Sequence, residues 1–299
     1  MARTKTLRRQ RAFDNPYSPD DIGWLKGNLH THTTVSDGNL SPQQSVDAYA
    51  ALGYDFLMLT DHDTVTDTAE LDARGMTLIP GCEVTAGGPH ILHLNATARV
   101  KPAPDRQRVI NEITAAGGLA IMNHPNWEPH YNHCPQSVLY ALKGYAGIEI
   151  YNGVTRRVEG NPEATDRWDM LLSNDKIVWG FGGDDNHQDA DRGVVWVMVQ
   201  GQDRSVAGIV DALKRGAFYV STGVVIDSIR LDGRRLMIEA ANAEMFHVCS
   251  NYGRVVARVP GPSLDFTPPS FFPATYFRVE AYGHGDAKAW IQPFVLHIR

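Results

Sequence analysis

The sequence predicts an α/β fold, a barrel of about seven βα units followed by a small antiparallel β-sandwich. Three observations predict it. Between residues 25 and 222, apolar runs of strand length alternate with helical stretches of about ten residues or more, the pattern of a parallel sheet. No glycine-rich nucleotide fingerprint marks the switch point of an open sheet. From about residue 224 the helical period stops, and short strand-like pieces are joined by turns such as Asp232-Gly233.

The elements follow in order. Residues 1–20 are polar and interrupted by Pro16 and Pro19, and Arg3, Lys5, Arg8, Arg9 and Arg11 occur there without an acid among the first eleven. They read as a flexible basic arm lacking the apolar stretch of a secretory signal. Residues 29–32 form a strand. Ser41-Pro42 starts a helix that Gly53 ends, by the preference for proline in a first turn and glycine after a last one. Phe56–Thr60 is a continuous apolar run, as in a strand buried on both faces, and it ends in Asp61-His62-Asp63. Thr77–Pro80 runs into Gly81-Cys82-Glu83, and Ile91–Leu94 is a short strand holding His93. A helix over 105–116 ends at Gly117-Gly118, and strand 119–122 ends in Asn123-His124. A helix over 135–143, strand 147–151, a helix from Asn161-Pro162 to Leu172, and strand 177–181 follow, the last ending in Asp184-Asp185-Asn186-His187. Strand 194–199 and a helix over 204–215 complete the barrel unit at 21–223. Residues 224–299 form the β-domain, with strands expected at 225–231, 236–240, 246–250, 255–259, 276–281 and 294–298.

The strand ends carry the chemistry. His30, His32, Asp37, His62, Glu83, His93, His124, Asp185 and His187 each lie at, or just after, the C-terminal end of an expected strand. Parallel strands share one direction, so these ends share the rim where barrel enzymes build their sites. His30 and His32, two apart, face the same way in a strand. A dry cluster of imidazoles and carboxylates is costly to bury, and bound cations remove that cost. Zinc, manganese and iron accept such mixed ligands. Taken alone, His93 reads equally well as a core histidine. Asp184 and Asp185 compete for one role, and Asp61 and Asp63 suit loop capping or the support of ligands.

Composition narrows the class. The chain has 299 residues, 43% of them hydrophobic and 21% charged, as in an ordinary globular protein. Its net charge of −6 gives no nucleic-acid signal, and no run is apolar enough to cross a bilayer. Cys82, Cys134 and Cys249 are far apart and odd in number, which favours a reducing cytoplasm over a disulfide framework. P-loop, GxSxG and HExxH motifs are missing.

The motifs His30-Thr31-His32 with Ser36-Asp37-Gly38, Thr60-Asp61-His62, Glu83, His93, Asn123-His124 and Asp185-Asn186-His187 resemble those of the polymerase-and-histidinol-phosphatase (PHP) superfamily of metal-dependent hydrolases. The resemblance covers residues 27–222. It implies a distorted (β/α)7 barrel holding two or three Zn, Mn or Fe ions. By position it implies His30, His32, Glu83 and Asp185 on one ion, and Asp37, His62 and His187 on a second. His93 and His124 would hold a third, with Glu83 bridging. Asp37 stands where many members carry a histidine. The ten residues from Glu83 to His93 are similar to the branch that cleaves small phosphate esters. The β-domain, with Phe218–Gly223 and Ala289–Pro293, looks like a branch that includes carbamate and amide hydrolases.

The expected activity is therefore a metal-dependent phosphoesterase, in which hydroxide held by the ions attacks phosphorus of a small, anionic phosphate ester. Asp37, Glu83 and Asp185 act with the metals, and Arg192 on the same rim loop reads either as a clamp on an anionic oxygen or, equally well, as a surface arginine. His90, His130, His133 and Asn152 are lesser candidates for the pocket lining. Nucleic acid and membrane are not expected as partners, and a homo-oligomer is left open. The alternatives are a carbamate, amide or carboxylic-ester metallohydrolase, and a non-catalytic metal-binding scaffold.

Overall fold

The computed structural model describes residues 11–18, 23–269 and 273–298. One mixed sheet of fourteen strands dominates the described residues, with five α-helices and a separate three-stranded sheet. The chain is α/β.

Six strands share one direction. They are β2 (Trp24–Asn28), β3 (Phe56–Leu59), β4 (Thr77–Val84), β6 (Leu119–Met122), β7 (Gly147–Asn152) and β8 (Trp179–Gly183). β2, β3 and β4 pair in parallel, as do β6, β7 and β8. Between the two sets lies β5 (Ile91–Leu94), which is antiparallel to both β4 and β6. On the far side of β2 lies β9 (Trp196–Gln200), also reversed. Neither reversal follows the expected all-parallel order. Only six residues join β4 to β5, too few for a parallel crossover, which needs about a dozen. The 184–195 link before β9 holds a single 3-10 turn and no α-helix to carry the chain across.

The helices are α1 (Pro42–Ala51), α2 (Arg106–Ala115), α3 (Gln136–Ala141), α4 (Thr165–Ser173) and α5 (Val206–Arg215). Local chemistry explains their ends. Ser41 and Gln44 form a capping box around Pro42, Asp105 and Ser205 cap α2 and α5, and Gly216 (φ 80°) closes α5 in the left-handed region. α4 starts later than expected. Asn161 accepts from the Glu163 N–H in a turn, and Glu163 forms a bridge to Tyr151, so the helix begins only at Thr165.

The C-terminal region is not a separate sheet. β10 (Phe218–Ser221) pairs with β9 and with β17 (Lys288–Ile298), and β17 continues through β16 (Tyr276–Gly283) and β13 (Ala243–Ser250) to β14 (Arg254–Pro260). The smaller sheet, β11 (Ser228–Asp232), β12 (Arg235–Glu239) and β15 (Ser263–Phe266), covers one face of this extension. Ile229, Ile238, Leu264, Phe246, Val279 and Phe294 fill the layer between. β15 falls between the strands expected at 255–259 and 276–281.

The expected arm is partly built into the fold. β1 (Arg11–Asp14) pairs with β17, and the buried Tyr17 hydroxyl donates to Phe218 O and accepts from the Gln292 N–H. Arg3, Lys5, Arg8 and Arg9 lie outside the described residues.

Two contacts tie β8 to other parts of the sheet, one to the segment after β2 and one to β17. Thr31 and Asn186, just past β2 and β8, form a parallel bridge. Deeper down, the buried Gln292 amide accepts from Gly180 N at 2.9 Å and donates to Gly180 O at 2.7 Å, standing in for a missing strand. A buried ion network also joins α4 to β16. Asp169 takes a forked pair of hydrogen bonds from Arg278 and a third from the Tyr276 hydroxyl, while Arg278 also reaches Glu280.

Candidate metal centre

The parallel strands deliver His30, His32, Asp37, His62, Glu83, His124, Asp185 and His187 to one mouth. Glu83, buried at the end of β4, stands in the middle. Its Oε1 lies 3.4 Å from His30 Nε2, 3.2 Å from His124 Nε2 and 3.2 Å from His90 Nδ1. Its Oε2 lies 3.5 Å from His32 Nε2 and 2.9 Å from His62 Nδ1. The Asn123 amide donates to Oε1 at 2.6 Å and fixes the carboxylate.

Around it are three groups able to hold a cation. In the first, Asp185 Oδ1 is 3.2 Å from His30 Nε2 and 3.1 Å from His32 Nε2. All three atoms are buried and none has a hydrogen-bond partner. Buried polar atoms are seldom left so, and a divalent ion would satisfy all three. In the second, Asp37 Oδ2 is 3.4 Å from His62 Nε2 and 3.3 Å from His187 Nε2, with His32 alongside. The third groups His90, His124 and His133. Here His133 lacks a free nitrogen. Its Nε2 accepts from the His90 N–H, so Nδ1 carries the proton and donates to Glu128. The third pair of donors beside Glu83 is therefore His90 and His124.

Supporting residues set the tautomers. His30 Nδ1 lies 2.7 Å from Glu149 Oε1, and His187 Nδ1 lies 2.8 Å from Asp185 O, so in each ring Nε2 is free to ligate. Glu149 Oε2 also accepts from the His124 N–H and from Asn152, which reaches Asp185 as well. One buried acid thus orients members of the first and third groups. Asp61 accepts from Thr33, Ser36 and Thr66 and holds the loop to Asp37. Asp63 braces Thr85. Asp184 stays behind the site, accepting from Tyr49 and the Gly193, Val194 and Val195 N–H groups. His124 (φ 25°) and Asp185 (φ 53°) have left-handed backbones, at a cost of about 1–3 kcal/mol each.

The carboxylates dominate the electrostatics. Burial disfavours charge on His30, but Asp185, Glu149 and Glu83 outweigh it and hold its pKa well above the ordinary value. Burial likewise opposes charge on His62, yet hydrogen bonds to Asp37 and Glu83 bring it up to about 10. Hydrogen bonds from His187 and His62 hold Asp37 well below the usual carboxylate range. His133 goes the other way, pushed down to about 2 by burial and by His124 and His90.

Two expected residues are elsewhere. His93 is fully buried in β5, in register with Cys82 and Ala120, with its ring against Gly118. Burial alone lowers its pKa to about 4, and it joins none of the three groups. The cause is the reversal of β5, whose start, not its end, lies at the mouth. His90 precedes that start and takes the expected place of His93. Arg192 pairs with Asp189 and does not line the cavity. Exposed His130 is likewise outside the lining.

The mouth opens into a cavity of about 270 Å³. Its lining adds Trp127, Val154, Arg157 and Val158 to the histidines and acids. These four, together with Glu149 and Asp191, are missing from the sequence reading. Glu149 alone left a signal, as an acid inside the apolar strand Gly147-Ile-Glu-Ile.

Gly183 shows how tight the packing is. A Cβ there would stand 2.5 Å from His30 Cβ and 3.1 Å from Glu149 Oε1. Gly183→Ala is expected to displace His30, lowering stability by about 1–3 kcal/mol through overpacking and reducing bound metal. Urea denaturation and elemental analysis measure both; a variant unchanged in each would contradict this packing.

No family model matches the chain. Over its fold it is similar to a two-domain protein from Bacteroides vulgatus containing a predicted PHP-like metal-dependent phosphoesterase, with a TM-score of 0.55, 20% identity, and coverage of 97% of this chain and 99% of that one. In sequence, 78 residues are 44% identical to a 5'-3' exoribonuclease of Haemophilus influenzae, covering 23% of this chain and 28% of that protein. Another 39% match, over 71 residues, is to a 3',5'-nucleoside bisphosphate phosphatase of Chromobacterium violaceum, covering 22% and 25% respectively. The chain spans only about a quarter of the length of these curated relatives. The resemblance first read from scattered motifs is met by a fold similar from end to end to that of this two-domain protein, and by short stretches of sequence similar to the two curated relatives.

Proposed function

We propose that this chain is a metal-dependent phosphoesterase that hydrolyses a small-molecule phosphate ester. The observation that carries the reading is the set of partnerless buried donors, His30 Nε2, His32 Nε2 and Asp185 Oδ1, facing Glu83 at the mouth of a cavity. His30, His32, Glu83 and Asp185 would hold one ion, Asp37, His62 and His187 a second, and His90 with His124 and Glu83 a third. Mixed imidazole and carboxylate donors fit Mn, Zn or Fe. Bound there, such ions would supply a water of lowered pKa and polarise a phosphoryl oxygen.

The chain's own residues do the rest. Glu149 and the Asp185 carbonyl keep the rings of His30 and His187 in the ligating tautomer. Asn123 and Asn152 hold two carboxylates in place, and Trp127, Val154 and Val158 give the leaving group an apolar wall. The volume of about 270 Å³ suits a compact substrate. As for architecture, the described residues up to 223 are read as a distorted (β/α)7 barrel, for which the Thr31–Asn186 bridge speaks, and those from 224 on as a β-sandwich that shares the barrel's sheet, for which the layer around Phe246 speaks.

The C-terminal strands favour a second reading, a carbamate or amide hydrolase. Side-by-side assays separate the two. With manganese, aryl phosphates are expected to turn over and aryl carbamates to stay intact, and chelation is expected to abolish turnover. The reverse preference would replace the phosphoesterase reading.

A further inference from the structure

Among the described residues that line the cavity, one side chain carries a permanent positive charge, Arg157, and its neighbours there are acidic, imidazole and apolar. Its placement is unusual for a rim arginine. The guanidinium is clamped through Nε and Nη2 onto the two oxygens of Asp191, at 2.6 and 2.8 Å. Asp191 is itself buried, and it accepts from the backbone N–H groups of His187 and Gln188, both at 3.1 Å. The arginine is therefore fixed to the same loop that carries His187.

The clamp uses two of five N–H donors. The remaining three have no partner among the described residues, on a side chain that is 38% exposed and lines the cavity beside Val154 and Val158. Holding one edge of the fork removes the rotamer entropy that an arginine ordinarily loses on binding an anion. A purely structural arginine gains nothing by lining the mouth, whereas an anion-binding one requires it. Asp185 is close enough to feel its charge.

On the phosphoesterase reading above, we propose that Arg157 determines specificity by binding the extra anionic oxygen of a dianionic phosphate monoester, and so selects monoesters over diesters. Cations held at the mouth would draw a phosphoryl oxygen of a mono- or diester alike. With one oxygen so held, a monoester dianion still has two charged oxygens for the fixed guanidinium's bidentate contact, and a diester has one. Asp191 is then a positioning residue.

The test compares 4-nitrophenyl phosphate with its methyl diester, using manganese-loaded wild-type protein and Arg157→Gln and Arg157→Lys. Arg157→Gln is expected to lower kcat/KM for the monoester by about 10- to 100-fold, chiefly through KM. The diester is expected to change by less than about threefold, and Arg157→Lys to recover part of the loss, since it restores charge without the fork. Calorimetry with inorganic phosphate gives a second readout, with affinity about tenfold weaker in Arg157→Gln. Equal losses on both esters, or unchanged phosphate affinity, would overturn the assignment. Wild-type protein inert to both esters would instead overturn the phosphoesterase reading, and the calorimetry would still decide whether Arg157 binds the anion.

Discussion

Glu83→Gln is expected to lower turnover of an aryl phosphate by at least about 10²-fold, the loss typical of removing one preorganised electrostatic partner, and to reduce the metal content of the protein. Its carboxylate faces all three groups of donors: His30, His32, His62, His90 and His124 each come within 3.5 Å of it. A glutamine keeps the shape and the contact with Asn123 but removes the negative charge. It would also set an amide N–H₂ beside His30, whose tautomer is already fixed by Glu149. No substitution at a single imidazole touches as many donors. Purified protein, metal analysis and a steady-state assay suffice, with circular dichroism to show that the fold persists. Wild-type turnover together with full metal occupancy would refute the central role given to this carboxylate.

Asp169→Ala is expected to cost about 3–5 kcal/mol of stability, because it strands the buried Arg278 guanidinium without its main partner. Asp169 and Arg278 are almost wholly buried, and Glu280 alone cannot take over the forked contact on the α4 side. The Tyr276 hydroxyl loses the nearer of its two acceptors in the same step and keeps Ser250 O at 3.1 Å. Because the contact joins α4 to the C-terminal strand β16, the variant tests whether these two parts of the chain are stabilised as one. A urea midpoint corresponding to a loss below 1 kcal/mol would show that the network contributes little.

Much of the site was legible because parallel strands convert sequence order into spatial order. Once Phe56–Leu59 and Gly147–Asn152 are read as strands of one direction, the residues that follow such strands share a rim whatever their distance along the chain. His62, Glu83, His124 and Asp185 come together on that logic alone. It failed where its premise failed. A six-residue link turned β5 round, and a reversed strand brings its first residue to the mouth, so His90 arrives there and His93 is carried into the core. Nothing in the apolar run Ile91–Leu94 announces its direction. Arg157 was hidden for another reason. It lies in an irregular loop with no period to read, and its partner Asp191 is 34 residues away. The sheet extension was hidden because antiparallel pairing between β10 and β17 leaves no mark on the segments between them.

The Gln292–Gly180 amide pair has a consequence for how the molecule is made. During synthesis the residues of the mouth are in place by His187, yet the wall behind them is finished by a side chain 112 positions beyond Gly180. Contacts of such long separation slow folding, since a large loop must close before they form. A nascent chain stalled before β17 would expose the edge of β8 and the apolar flank of β10, and such a chain is a natural client for a chaperone.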